Sequence, residues 1–141
     1  MYISPDKKTL IIPDVDALGI DDYSIGALFD FRIPGEVQVI VGDVSEDGTG
    51  CAGEVILSSA QWGDVAFCLS LCVRREVEYE GRMLCQARKS PSQDVCSSEA
   101  LVVRKLPNHF SFQVGAEYVR ISLDDAKILA AWPKDSGISA E

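Results

Sequence analysis

The sequence has no apolar run near the length of about 18 residues that a membrane-spanning helix requires. Its first residues, Met1 to Lys8, lack the basic start and the continuous apolar stretch of a secretory signal peptide. It contains neither a G-x-x-x-x-G-K-[ST] phosphate loop nor a G-x-G-x-x-G dinucleotide fingerprint. These absences predict a cytoplasmic protein and give no support to nucleotide hydrolysis or hydride transfer.

Basic residues are scarce, since 13 lysines and arginines stand against 22 aspartates and glutamates, for a net charge of −9. A surface of this sign repels nucleic-acid phosphates and anionic lipid headgroups. We therefore expect neither direct nucleic-acid binding nor membrane binding. The same field favours encounter with a strongly basic protein partner, although acidic surfaces also serve solubility alone.

Metal-ligating and catalytic residue types are few. The chain has five cysteines, an odd number, and one histidine, His109. At this length a core does not need disulfides, so the cysteines are expected as free thiols. Cys68 and Cys72 are four apart on a predicted strand and do not complete a four-ligand zinc site. We expect no metal and no cofactor.

An enzyme built on a serine or cysteine nucleophile would depend on His109, because no other imidazole is present to act as its base. His109 lies in a predicted turn, Pro107 to Phe110, and no G-x-S-x-G motif accompanies it. The sequence therefore favours a protein that is not an enzyme.

What the sequence does contain is a globular composition, 47% apolar and 25% charged, arranged as short alternating segments between turn residues. This pattern predicts a mainly β fold, an antiparallel sandwich or partly open barrel, with one short C-terminal α-helix. Residues 1–133 form the predicted single domain and 134–141 a polar tail. The predicted strands are 9–12, 25–33, 36–41, 54–59, 65–79, 82–88, 100–106, 110–114 and 117–122.

The longest predicted strand, 65–79, has apolar residues at most odd positions and becomes charged on its other face towards Glu80. With Gly81 as a tip and 82–88 returning, it predicts a hairpin that could project from the body.

Only the C-terminal region shows a clear helical period. Ser122 is a suitable N-cap, Asp125 stands at N3, and Leu123, Ala126 and Leu129 form an apolar stripe. The prediction is a helix from about Leu123 to Ala131 that Pro133 ends.

Acidic residues concentrate in two regions with predicted loops, one near the N-terminus with Asp14, Asp16, Asp21, Asp22 and Asp30, the other with Asp43, Glu46, Asp47 and Glu54. If both loops lie on one side, they create a negative face for a basic partner. Asp43, Glu46 and Asp47 are the predicted partner-binding residues. Asp43, Ser45, Asp47 and Glu54 also match the ligand spacing of a calcium loop, but strands rather than helices flank it.

The leading hypothesis is a small acidic interaction protein that binds, and could inhibit, a basic protein in the manner of an immunity or anti-defence protein. The alternative is a β domain, monomeric or oligomeric, that binds a small molecule in a pocket. A hydrolase or transferase that uses His109 and an assembly component that pairs sheet edges are the remaining hypotheses.

Overall fold

The computed structural model describes residues 2–15, 25–44, 52–75, 79–87 and 97–135. They form nine strands and two helices. The strands are β1 (Tyr2–Ile3), β2 (Thr9–Pro13), β3 (Ile25–Asp30), β4 (Glu36–Asp43), β5 (Ala52–Ser58), β6 (Tyr79–Ala87), β7 (Ser97–Lys105), β8 (His109–Val114) and β9 (Glu117–Ser122). The helices are α1 (Ser59–Arg75), between β5 and β6, and α2 (Leu123–Asp135), after β9.

Each strand pairs antiparallel with its neighbour in the chain, so the order in the sheet is the order in the sequence. β5 and β6 meet at a single residue pair, Ile56 and Gln86. The meander therefore divides there into two layers, β1–β5 and β6–β9. The layers face each other, with β4 against β9 and β5 against β8. The predicted antiparallel sandwich is confirmed.

The core lies between the layers. Side chains alternate between the two faces of each strand, and those on the inward faces form the core. Phe29 of β3 meets Phe112 of β8 edge to face, with ring centroids 5.5 Å apart. Trp62 of α1 joins this group, 5.7 Å from Phe29 and 5.3 Å from Phe31. Both layers and the first helix thus share one core.

The predicted strand over 65–79 is wrong, because this region begins as helix α1. Ser58 caps it: its Oγ accepts a hydrogen bond from the Gln61 N–H (3.2 Å), and the Gln61 side chain accepts one from the Ser58 N–H (3.0 Å). The buried residues Trp62, Val65 and Leu69 follow at helical spacing.

The apolar alternation over 65–73 was a coincidence of composition. Phe67, placed on the buried face by the strand prediction, is 64% exposed on the helix. The projecting hairpin is wrong for the same reason. Gly81, its predicted tip, lies inside β6 and pairs with Val103 of β7.

The C-terminal helix is confirmed. Ser122 Oγ accepts a hydrogen bond from the Asp125 N–H at 3.1 Å, and Ala126, Leu129 and Trp132 are buried. The helix ends at Asp135, two residues beyond Pro133. Residues 136–141 of the predicted tail lie outside the described residues.

The order of elements repeats within the chain. Strands β2–β5 followed by α1 are matched by β6–β9 followed by α2, and the two helices contact each other. Both helices begin directly after a serine cap, Ser58 or Ser122. The extra element of the first half is β1, which pairs with β2.

Candidate functional site

The strand registers bring the two acidic segments to one end of the first layer. Pro13, Gly26, Gly42 and Ala52 form a single row across β2, β3, β4 and β5. The chain therefore leaves β2 at Asp14 and reaches the last residue of β4, Asp43, at the same end of the sheet. We call this the hairpin end, because strand-to-strand connections of both layers lie there.

The second layer adds its β8–β9 turn to the hairpin end. A Cβ on Gly53 would lie 2.6 Å from the Val114 carbonyl oxygen, so the two layers touch at this point. Glu99 of β7 reaches the same turn, with Oε1 3.7 Å from the Cβ position of Gly115. Glu117 follows as the first residue of β9.

Of the predicted partner-binding residues, Asp43 is described and stands half-buried at the last position of β4. Glu46 and Asp47 lie outside the described residues. Glu99 and Glu117, which no sequence pattern singles out, are also half-buried at the hairpin end. Locating them requires the meander topology, because they belong to different strands of the other layer.

Several acidic side chains are engaged within the fold, among them Asp14, Asp30 and Glu54. Asp14 Oδ2 accepts a hydrogen bond from the Arg120 backbone N–H at 3.0 Å. Asp30 forms an ion pair with Arg32 at 2.7 Å. Glu54 accepts a hydrogen bond from the Gln38 side-chain amide.

Charge is distributed unevenly between the two ends. Among the described basic side chains, only Arg120 reaches the hairpin end, where it bonds Asp14. The opposite end, where the β3–β4 and β7–β8 turns lie and both helices begin, has Arg32 and Lys105 together with Asp30, Glu36, Asp124 and Asp125, so its charges are mixed. The other basic residues whose side chains are described are Lys7 and Lys8 in the β1–β2 turn, Arg82 and Arg104 on β6 and β7, and Lys127 on α2.

The calcium-loop pattern fails on the geometry of the β4–β5 ladder. Glu54 pairs with Ile40, and Ala52 pairs with Gly42, so Glu54 shares one face with Ile40 and Gly42. Asp43 follows Gly42 and therefore points to the opposite face. The first and last ligands of the pattern diverge. Ser45 and Asp47 lie outside the described residues, and those that are described contain no cluster of potential metal ligands.

His109 begins β8 and stands opposite Ser122 of β9. Its Nε2 is buried and has no hydrogen-bond partner among the described residues. Ser122 Oγ already accepts the capping bond from Asp125. No nucleophile and base are therefore hydrogen-bonded to each other at this histidine within the described structure.

Of the described cysteines, Cys72 and Cys85 are buried free thiols, and Cys68 is partly exposed on α1. Burial, reinforced by the neighbouring Cys68, raises the pKa of Cys72. Burial also raises the pKa of Cys85. Both shifts lower the fraction of reactive thiolate, which is the opposite of what a catalytic cysteine requires.

Two of the clefts formed by described residues are small. One, of about 60 Å³, lies between α1 and the strands β6 and β7. The other, of about 40 Å³, lies beside Asp30 and Glu36. Ligand pockets usually occupy roughly 300–1,000 Å³, so neither cleft favours the small-molecule hypothesis.

Neither described helix has the length and apolar character needed to cross a bilayer. Comparisons with protein-family models, curated proteins and solved structures found no match.

Proposed function

We propose that this protein is a non-enzymatic interaction protein that binds a basic protein partner through its hairpin end and inhibits it by covering its basic surface. The observation that supports the proposal is the convergence of acidic residues from both layers at one end. Asp43 comes from β4, Glu99 from β7 and Glu117 from β9. Glu46 and Asp47 belong to the segment that connects β4 and β5.

The uneven charge gives such a partner a preferred orientation. A dipolar molecule rotates its acidic end towards a basic surface before contact, which raises the association rate at low ionic strength. Asp43, Glu99 and Glu117 stand on paired strands of the sandwich, so we expect little ordering entropy to be lost on binding.

The test is a pull-down from the native host's lysate at low and at high salt, with the retained proteins identified by mass spectrometry. The test variant combines Asp43→Asn, Glu99→Gln and Glu117→Gln; a second adds Glu46→Gln and Asp47→Asn. A matched control removes the same charge elsewhere, through Asp6→Asn, Asp64→Asn and Asp124→Asn.

We expect a basic protein that the wild type and the control retain at low salt and that both hairpin-end variants lose. Activity of the captured protein should then fall on addition of the wild type. Equal retention by all variants, or no salt-sensitive partner, would contradict the proposal.

A further inference from the structure

Within the described residues, strand β6 is paired along only one of its edges. It pairs with β7 along its whole length, from Tyr79 to Ala87. On its other side it meets β5 only at Gln86. The backbone between Tyr79 and Cys85 is therefore paired on one side only within the described structure.

The pairing pattern identifies the backbone groups at this edge. In an antiparallel ladder the N–H and C=O of one residue point to the same side, and successive residues alternate. The Leu84 carbonyl accepts a hydrogen bond from the Gln61 side chain of α1 at 2.8 Å, so Leu84 points away from β7. Glu80 and Arg82 point the same way, and their backbone groups have no partner among the described residues.

Helix α1 runs beside this edge and turns it into a groove. The cleft of about 60 Å³ lies between them. On the same measure one water needs roughly 10–15 Å³, so the cleft has room for about one aliphatic side chain. Gly81 contributes no side chain, which leaves this space open. The cleft is lined by Asp64, Val65, Cys68, Gly81, Arg82, Met83, Leu101 and Val103.

The first half of the molecule shows what covers such an edge. The two halves can be aligned by matching the capping serines, Ser58 and Ser122, and following the strand pairing from each serine back to β2 and β6. In this alignment Thr9 corresponds to Glu80, and Leu10 and Ile11 correspond to Gly81 and Arg82. In the first half, the two-residue strand β1 pairs with Leu10 and Ile11. The corresponding edge of β6 has no such strand in the described structure.

The charged side chains beside the groove indicate which kind of side chain a bound segment would place there. The Glu80 Oε1 atom lies 2.6 Å from a guanidinium nitrogen of Arg104 and 3.9 Å from one of Arg82, so two guanidinium groups share one carboxylate. The Arg82 side chain is 69% exposed. Opposite charges directly across a ladder stabilise the pairing, so an acidic side chain facing Arg82 would complete this group.

We infer that β6 accepts an extended segment of a partner protein as an added antiparallel strand. The segment places an apolar side chain in the cleft and an acidic side chain beside Arg82. Backbone hydrogen bonds supply affinity and the two side chains supply specificity, as in other cases of β-strand addition. This site goes beyond the proposed function, because it differs in position and in charge from the hairpin end.

The test is selection of random decapeptides on phage against the full-length protein, in parallel with Arg82→Pro. Proline removes the N–H that faces the groove but none that bonds β7, so β6 tolerates it. Arg82→Gln is the matched control that keeps the N–H and removes the charge. In Cys68→Leu the larger side chain on α1 occupies the cleft, while the sequence of β6 is unchanged. This variant is the substitute test if Arg82→Pro does not fold.

We expect peptides in which apolar and acidic residues alternate. Their Kd should rise about tenfold or more in Arg82→Pro, the order expected for one lost backbone hydrogen bond, and also in Cys68→Leu. Arg82→Gln should bind more weakly than wild type but better than Arg82→Pro. The neutralised hairpin-end variant should bind normally, which separates this site from the proposed function.

Three results would overturn the inference. The first is that no peptide prefers the wild type over Arg82→Pro. The second is that the Arg82 amide exchanges its hydrogen slowly in the free protein. The third is a dimer of this chain that Arg82→Pro dissociates, which would make a second copy the occupant.

Discussion

Asp14 Oδ2 accepts a hydrogen bond from the backbone N–H of Arg120 at 3.0 Å, although the residues are 106 positions apart. Asp14 follows β2, and Arg120 lies in β9, whose other side is paired with β8. The carboxylate therefore joins the first layer to the free edge of the second.

Replacing Asp14 by alanine should destabilise the protein by about 1.5–3 kcal/mol, the range for a hydrogen bond to a charged group. Asp14→Asn should cost less, because its amide oxygen can still accept the Arg120 N–H. The midpoint of urea unfolding measures both. Equal midpoints for Asp14→Ala and wild type would show that this bond does not hold the layers together.

Two glycines should respond oppositely to alanine. Gly63 lies inside α1 and its Cβ position has nothing within 4 Å, so Gly63→Ala should raise stability by about 0.5–1 kcal/mol. A Cβ on Gly53 would lie 2.6 Å from the Val114 carbonyl oxygen, so Gly53→Ala should force the layers apart and lower stability. Thermal unfolding of the two variants tests this, and a shift of the same sign in both would contradict it.

The Asp30–Arg32 pair should make stability depend on pH. Burial opposes ionisation of Asp30, but the hydrogen bonds from the Arg32 side chain and backbone N–H outweigh it, so the pKa of Asp30 lies below its ordinary value. Stability from a lowered carboxyl pKa is present above the ordinary value and is lost as the pH falls through the folded value.

In Arg32→Gln the guanidinium is absent while burial remains, so the pKa of Asp30 should rise. The variant should be less stable than wild type near neutral pH, and the difference should shrink below about pH 4. Carbon NMR titration of the Asp30 carboxyl and urea unfolding at several pH values measure both effects. A difference that does not change with pH would contradict this account.

The described cysteines should differ in thiol reactivity. Burial raises the pKa of Cys72 and of Cys85, while Cys68 is partly exposed on α1. Alkylation by iodoacetamide in the native state should therefore modify Cys68 well before the other two. Peptide mapping by mass spectrometry after timed quenching gives the order, and faster labelling of Cys72 would argue against its burial.

Much of the sheet could be predicted because its strands are half-buried and alternate clearly. β4, β8 and β9 appear in the sequence as strands with nearly correct bounds, and α2 follows from the Ser122 cap. Helix α1 was missed because its apolar residues also fit a two-residue period. The deciding local signal was the capping pair Ser58 and Gln61, which marks a helix start.

The candidate site could be predicted only in part. Asp43 belongs to an acidic segment that composition alone identifies, whereas Glu99 and Glu117 are single acidic residues at strand ends. Their convergence depends on how the second layer stacks on the first. Such long-range packing leaves no periodic signal in a single sequence. The same holds for the open edge of β6, which exists because β5 separates from β6 after one residue pair, Ile56 and Gln86.

The meander has a consequence for synthesis on the ribosome. Because each strand pairs with its chain neighbour, β2–β5 can pair as soon as residue 58 has emerged. The inward face of these strands, which includes Leu10, Phe29 and Val39, is then covered only in part, by Trp62 of α1, until β8 and β9 have followed. During that interval the nascent chain presents its largest apolar surface, so we expect chaperones to bind it then and release it once the second layer closes.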